Sequence, residues 1–318
     1  MTARARPSPD TNTGGTVAAG HLMGLYTAIS FGSAYPVGKP LVAVVDPFVF
    51  SSARYIVAGL VLLLGLQLFT RAGARVPWRE LPTLAFTGFL GFTVFQGLWG
   101  VALDLTTASK ASVLVSTTPI FGALIHAFQG HRLPGRAWAG IGVAFAGVFC
   151  VINNSFETVT LGGGSLLGDA LFVAIAGVWA LYGALSRPVI ARIGAARSAA
   201  WAALLGSLFL LPLAVPGAMA QDWSAVSPWL ALNFAHVALV IGCLGMLTWN
   251  GGLRRLGLPK MTVWLYLTPV SAVILANLLL GEWLTGPQIA GAALPRLYER
   301  EIQHTARHVV VDDARRVL

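Results

Sequence analysis

Charge is what this sequence has least of. Asp, Glu, Lys and Arg make up 10% of its 318 residues, against roughly 25% in a soluble globular protein, so an ordinary soluble domain is excluded. Acidic residues are the scarcer sign, 12 Asp and Glu against 21 Lys and Arg, for a formal net charge of +9. Cysteine is nearly absent: Cys150 and Cys243 each lie in an apolar stretch, with neither disulfide nor zinc spacing. No Ser-His-Asp, Cys-His or metal-type cluster can be read, which leaves an enzyme, a metal or another cofactor without support. What the chain does hold is apolar. Hydrophobic residues reach 56%, and the 36 Gly fall largely within apolar segments, where small residues let membrane helices approach closely.

A helix crossing the hydrocarbon layer needs about 20 residues. Apolar runs occur at 22–38, 47–70, 81–103, 111–129, 137–152, 167–186, 198–220, 230–252 and 261–280, and a tenth begins near 286. The expected fold is therefore an all-α integral membrane bundle with nine full transmembrane helices and an incomplete tenth. Residues 1–20, polar and rich in Pro, Thr, Gly and Ala, are expected to form a disordered cytoplasmic tail. Pro36, Gly38 and Lys39 suit a helix end better than a cleavage site, so the first run is read as a span and not as a signal peptide.

Basic residues choose the orientation. Arg71, Arg75 and Arg79, then Arg132 and Arg136, then Arg187, Arg192 and Arg197, then Arg254, Arg255 and Lys260 fall after even-numbered spans, whereas the opposite loops hold Lys39 and Lys110. By the positive-inside rule the N-terminus is cytoplasmic and the protein lies in the cytoplasmic membrane. Topology thus accounts for the basic excess; the bilayer, and not nucleic acid, is the implied partner. Oligomeric state has no signature here. Trp78, Trp138, Trp201, Trp223, Trp229 and Trp283 sit near span ends, as interfacial anchors do.

The chain also repeats itself. WGVALDLTTASKASVLVSTTP from Trp99 matches WNGGLRRLGLPKMTVWLYLTP from Trp249 at an offset of 150, sharing Trp99/Trp249, Leu103/Leu253, Lys110/Lys260, Val113/Val263, Thr118/Thr268 and Pro119/Pro269. With one residue of slippage, GHRLPGRAWAG from Gly130 matches GEWLTGPQIAG from Gly281. Two copies of a five-helix unit follow, over 21–152 and 165–294. Because five is odd, the second copy enters the membrane from the opposite side. Inverted repeats suit secondary transporters, whose halves exchange roles between inward-open and outward-open states, with small-molecule sites near the midplane at the repeat interface.

Four segments carry a family resemblance: FGSAYPVGK at 31–39, DPFVFSSARY at 46–55, GDALFVAIAGVWALY at 168–182 and LTPVSAVILANLLLGEWLTGPQIAG at 267–291. In them the chain resembles the EamA-type transporters of the drug/metabolite transporter superfamily, whose substrates range over amino acids, nucleosides, sugars and cationic drugs. The resemblance implies a central cavity among the first, third, fourth, sixth, eighth and ninth helices, with the others peripheral. The family name does not choose among these substrates; with the inverted repeat, the expected function is a secondary transporter working by alternating access, an exporter of small metabolites such as amino acids. The nine main spans have no mid-helix Asp or Glu, unlike the small multidrug exporters of that superfamily.

Residue chemistry points to several of the same helices. Pro119 and Pro269 lie within spans, where each removes a backbone donor from the carbonyl four residues earlier, here Val115 and Leu265. Ser112, Ser116, Thr262 and Tyr266 bring polar groups to these breaks, either for substrate or for bonds back to their own helix. Gln96, Trp99, Trp249 and Asn250 place amide and indole groups in the third and eighth spans, Trp179 and Tyr182 share a face of the sixth, and Tyr35 is a counterpart on the first. Trp264 is a further deep indole. Each is either helix packing or cavity wall. Arg54 and Lys39 either reach for headgroups or attract a carboxylate.

The pattern fails after Gly291. From Pro295 to Leu318 stand five Arg, four acidic residues and two His, which cannot occupy hydrocarbon. The tail at 295–318 is either native, in a nine-helix variant, or the product of a disrupted reading frame, and the second leaves a non-transporting or degenerate membrane homologue as the alternative function.

Overall fold

The computed structural model describes residues 13–71, 73–128 and 165–286, with single helical positions among 135–146 and at 289. The expected fifth span, the start of a tenth, the 295–318 tail and residues 1–12 lie essentially outside the described residues. Those described are helical, with no strand among them. In chain order the helices are α1 (Thr13–Val42), α2 (Pro47–Phe69), α3 (Trp78–Leu105), α4 (Ala108–Val115), α5 (Thr118–Phe128), α6 (Ser165–Ile193), α7 (Ala195–Ala220), α8 (Pro228–Gly257) and α9 (Thr268–Leu280). Six spans among the described residues are long and apolar enough to cross a membrane. Helix α1 begins at Thr13, so the tail expected over 1–20 gives way to helix in its second half.

Local chemistry sets the boundaries. Asp46 caps α2 by accepting the Phe48 and Val49 N–H groups at 2.9 and 3.0 Å, with Pro47 as the first helical residue, a position that tolerates its missing donor. Thr107 likewise caps α4 through the Lys110 N–H. Gly257, at φ 76° and ψ 168°, ends α8 in a backbone conformation that glycine adopts without steric cost.

The repeat visible in the sequence is also visible in irregularities of the backbone. A π-helical segment interrupts α3 at Phe89–Val94, and another interrupts α8 at His236–Gly245; shifted by 150, the first falls inside the second. A turn at Ser116–Thr117 separates α4 from α5, and a 3-10 turn at Leu265–Leu267 precedes α9. Pro119 and Pro269 therefore stand in the first turn of a new helix. The two carbonyls expected to lose partners do not: Val115 O accepts the Thr118 hydroxyl at 2.7 Å, and Leu265 O accepts the Thr268 N–H.

Packing crosses between the halves. Helix α1 lies against α8 and α9, α6 against α3, α4 and α5, and α2 against α7. Exchanging α1 with α6, α2 with α7, α3 with α8, and α4 and α5 with α9 maps this set onto itself, as a two-fold relation between inverted units requires. Glycine permits close backbone contact: a Cβ on Gly206 of α7 would stand 2.2 Å from the Gly88 carbonyl oxygen of α3.

The two ends of the bundle differ in chemistry. At one, Lys39 donates to the carbonyls of Leu103, Asp104 and Thr106 at 2.7, 3.1 and 2.7 Å, capping the C-terminus of α3; it neither reaches for headgroups nor faces a cavity. Beside it, Lys110 of α4 pairs with Asp169 of α6 at 2.5 Å, and Thr106 donates to the same carboxylate at 2.6 Å. Glu282 accepts the Ser109 N–H there at 3.2 Å. At the other end Arg192 forks onto Glu80 at 2.6 and 2.8 Å, and Arg197 and Trp201 donate to the Gly73 and Ala74 carbonyls.

Candidate functional site

Where α1, α2, α3, α4, α6, α8 and the start of α9 converge, the bundle holds a partly open cavity. The free space open to the centres of water-sized molecules is about 60 Å³, several times the ~10–15 Å³ that one water requires. It accommodates a compact metabolite or a few waters.

Of the residues expected to line such a space, Tyr35, Gln96, Trp99, Ser116 and Trp179 do so. Trp99 is aimed by Gly38, where a Cβ would come within 2.9 Å of the indole, and it neighbours Tyr35 at 5.8 Å between ring centroids. Trp179 lies 4.8 Å from Phe95 and stacks on Tyr182 at 4.9 Å. Tyr182, Trp249 and Asn250 form the layer behind it: Trp249 packs 5.6 Å from Trp179, and Asn250 donates weakly to Ala195 O at 3.4 Å. All three are buried and support the wall without lining the cavity.

Other expected residues lie elsewhere. Ser112 bonds back to Ser109 O at 2.7 Å, and Ser116, although on the cavity wall, donates to Ser112 O at 2.9 Å, as serine commonly does within helices. Trp264 does not line the cavity: its indole N–H reaches Nδ1 of His21 at 3.2 Å, and its ring fills the space above Gly24 of α1. Pro119 and Pro269 shape the backbone and are absent from the lining. The side chains of Thr262 and Tyr266 lie outside the described residues.

The second helix, expected to be peripheral, supplies the most polar part of the wall. Arg54 is 1% exposed and lines the cavity with its neighbour Tyr55. Its guanidinium carbon lies 4.6 Å from the Phe50 centroid, 4.9 Å from Tyr55 and 4.6 Å from Trp99. One terminal nitrogen donates to the Gln96 carboxamide oxygen, and the Gln96 amide donates onward to the Tyr55 hydroxyl at 2.8 Å. The headgroup reading of Arg54 thus gives way to a buried cation held by aromatic faces. Its signal in the sequence was an arginine two turns inside an apolar run, but a side chain of that length could equally have turned outward. The Lys110–Asp169 pair was also missed. Both residues belong to the same end in the expected topology, yet nothing in their separation within the chain joins them.

These features define a multi-pass membrane transporter built from two helical repeats around a central cavity. The sequence matches the EamA-like transporter family twice, over residues 18–153 and 166–295, and the chain belongs to that family. An uncharacterized transporter of Archaeoglobus fulgidus is 27% identical over 245 residues, 74% of this chain and 81% of that protein. A probable terminal-alkyne amino-acid exporter of Streptantibioticus cattleyicolor is 29% identical over 226 residues, 70% and 73% of the two chains. The uncharacterized inner membrane transporter YedA of Escherichia coli is 27% identical over 271 residues, 84% of each. A protein of known crystal structure superposes with a TM-score of 0.65 at 20% identity, covering 94% of this chain and 99% of that one, a likeness of fold.

Proposed function

We propose that this protein is a secondary transporter that exports small metabolites such as amino acids by alternating access. The observation that carries the reading is the aromatic cavity at the junction of the two repeats, walled by Tyr35 and Trp99 from one half and Trp179 from the other. A site shared by inverted halves can be uncovered from either side when one half rocks against the other. The resemblance to an amino-acid exporter supports the substrate class. Counterflow into proteoliposomes, using a panel of amino acids, nucleosides, sugars and organic cations, tests it: amino acids are expected to exchange, and a panel with no exchanging member overturns the proposal.

In the proposed topology the chain has nine full spans and an incomplete tenth, with a cytoplasmic N-terminus. Arg192 and Arg197 bond Glu80 and Gly73, and Arg254 lies near Gly194, so basic residues that follow even-numbered spans meet at one end of the bundle, which the positive-inside rule makes the cytoplasmic one. In a chain with Cys150 and Cys243 changed to Ser, Arg75→Cys is expected to react with an impermeant maleimide only after the cells are opened. Labelling of intact cells would reverse the orientation.

The polar stretch at 295–318 favours a second reading, a homologue that no longer transports. If exchange appears only after that stretch is replaced by an apolar tenth helix, the second reading holds.

A further inference from the structure

We propose that Arg54 is the anchor for a carboxylate on the substrate, so that this cavity accepts small organic acids and zwitterions and rejects cations. The inference rests on the transporter reading above and names the chemistry of its site. The guanidinium is protonated at every physiological pH and is fully buried. Among the described residues no carboxylate lies within ion-pair distance of it; Lys110–Asp169 and Arg192–Glu80 are pairs elsewhere. What surrounds it is neutral: three ring faces, which solvate a cation from the side, and the Gln96 carboxamide, which contributes a dipole and no charge.

A buried charge left in this condition is costly unless something else completes its pairing. Among the described residues two donors at the wall have no partner: Arg54 Nε and the Thr268 hydroxyl, both buried. They come from opposite repeats, α2 and the start of α9, and both belong to lining residues. An arginine fork matches the planar geometry of a carboxylate, and a hydroxyl can donate to the same group. Among the described residues no Asp or Glu lines the cavity, so the one charge there that an ammonium group entering alone would meet is the like charge of Arg54. The aromatic walls suit an apolar remainder.

Wild-type protein in detergent, read by tryptophan fluorescence, can be titrated with leucine and 4-methylpentanoate and with their carboxamides, leucinamide and 4-methylpentanamide; alanine and phenylalanine pairs extend the series. The acids are expected to quench or shift the emission, and the amides to bind about 30-fold more weakly or worse, as expected when a buried charge loses its partner. Comparison of leucine with 4-methylpentanoate separates zwitterion from simple acid as the preferred source of the carboxylate. Arg54→Gln is expected to abolish the preference for acid over amide, and Arg54→Lys to retain part of it. Equal binding of acids and amides by the wild type, or an acid preference surviving in a folded Arg54→Gln protein, overturns the proposal, as does a panel in which no carboxylate binds. Counterflow on the same series keeps the two readings apart. Acids that bind without exchanging leave the carboxylate site standing and refute transport, whereas amides that exchange as fast as acids refute the carboxylate site and leave transport standing.

Discussion

Asp169→Asn is expected to destabilise the bundle by about 3–5 kcal/mol, because it leaves the Lys110 ammonium buried without a counter-charge. The two side chains are 8% and 0% exposed, so water cannot take the place of the lost carboxylate. An asparagine could still accept the Thr106 hydroxyl, whose bond to the native carboxylate is 2.6 Å. The loss is therefore one of charge and not of shape. Heating detergent-solubilised protein while following aggregation would report it as a marked fall in the transition temperature. A double variant, Lys110→Met with Asp169→Leu, is expected to recover most of the loss, since removing both members of a buried pair is often neutral or stabilising. If Asp169→Asn melts with the wild type, the pair contributes nothing and the contact between α4 and α6 rests on apolar packing alone.

Two tryptophans of similar standing in the sequence are expected to behave differently. Trp99→Ala should lower exchange by an order of magnitude or more, because it removes both a cavity wall and one of the ring faces against Arg54, a contact worth about 2 kcal/mol when desolvated. Trp264→Phe should leave exchange within about twofold of wild type. Its ring packs over Gly24 and its N–H meets His21, so it lacks the access to substrate on which a direct effect on affinity depends. Exchange rates normalised to the amount of reconstituted protein check both; equal losses in the two variants would place Trp264 in the substrate path.

How far the sequence reached depended on the kind of feature. The repeat was legible because Trp, Lys and Pro recur in register, and its consequence appears in paired π segments and paired breaks before Thr118 and Thr268. Aromatic residues of the cavity were legible in part: Tyr35, Trp99 and Trp179 face it, whereas Trp249 and Tyr182 stand one layer back. Helical spacing gives the face a residue occupies. It does not give the neighbour that covers that face.

The sequence by itself determined that this is a membrane protein, that its core is helical, and that its two halves repeat one another. Those properties follow from composition and period, which act along the chain. Only the tertiary structure decided the fate of the few charges. Arg54 could have turned to lipid headgroups but turned inward to Phe50, Tyr55, Trp99 and Gln96, while Lys39 and Lys110 became a helix cap and an ion pair. The physical reason is that a charge in hydrocarbon is stable only where partners surround it. Those partners are supplied here by helices distant in the chain, and packing alone brings them together.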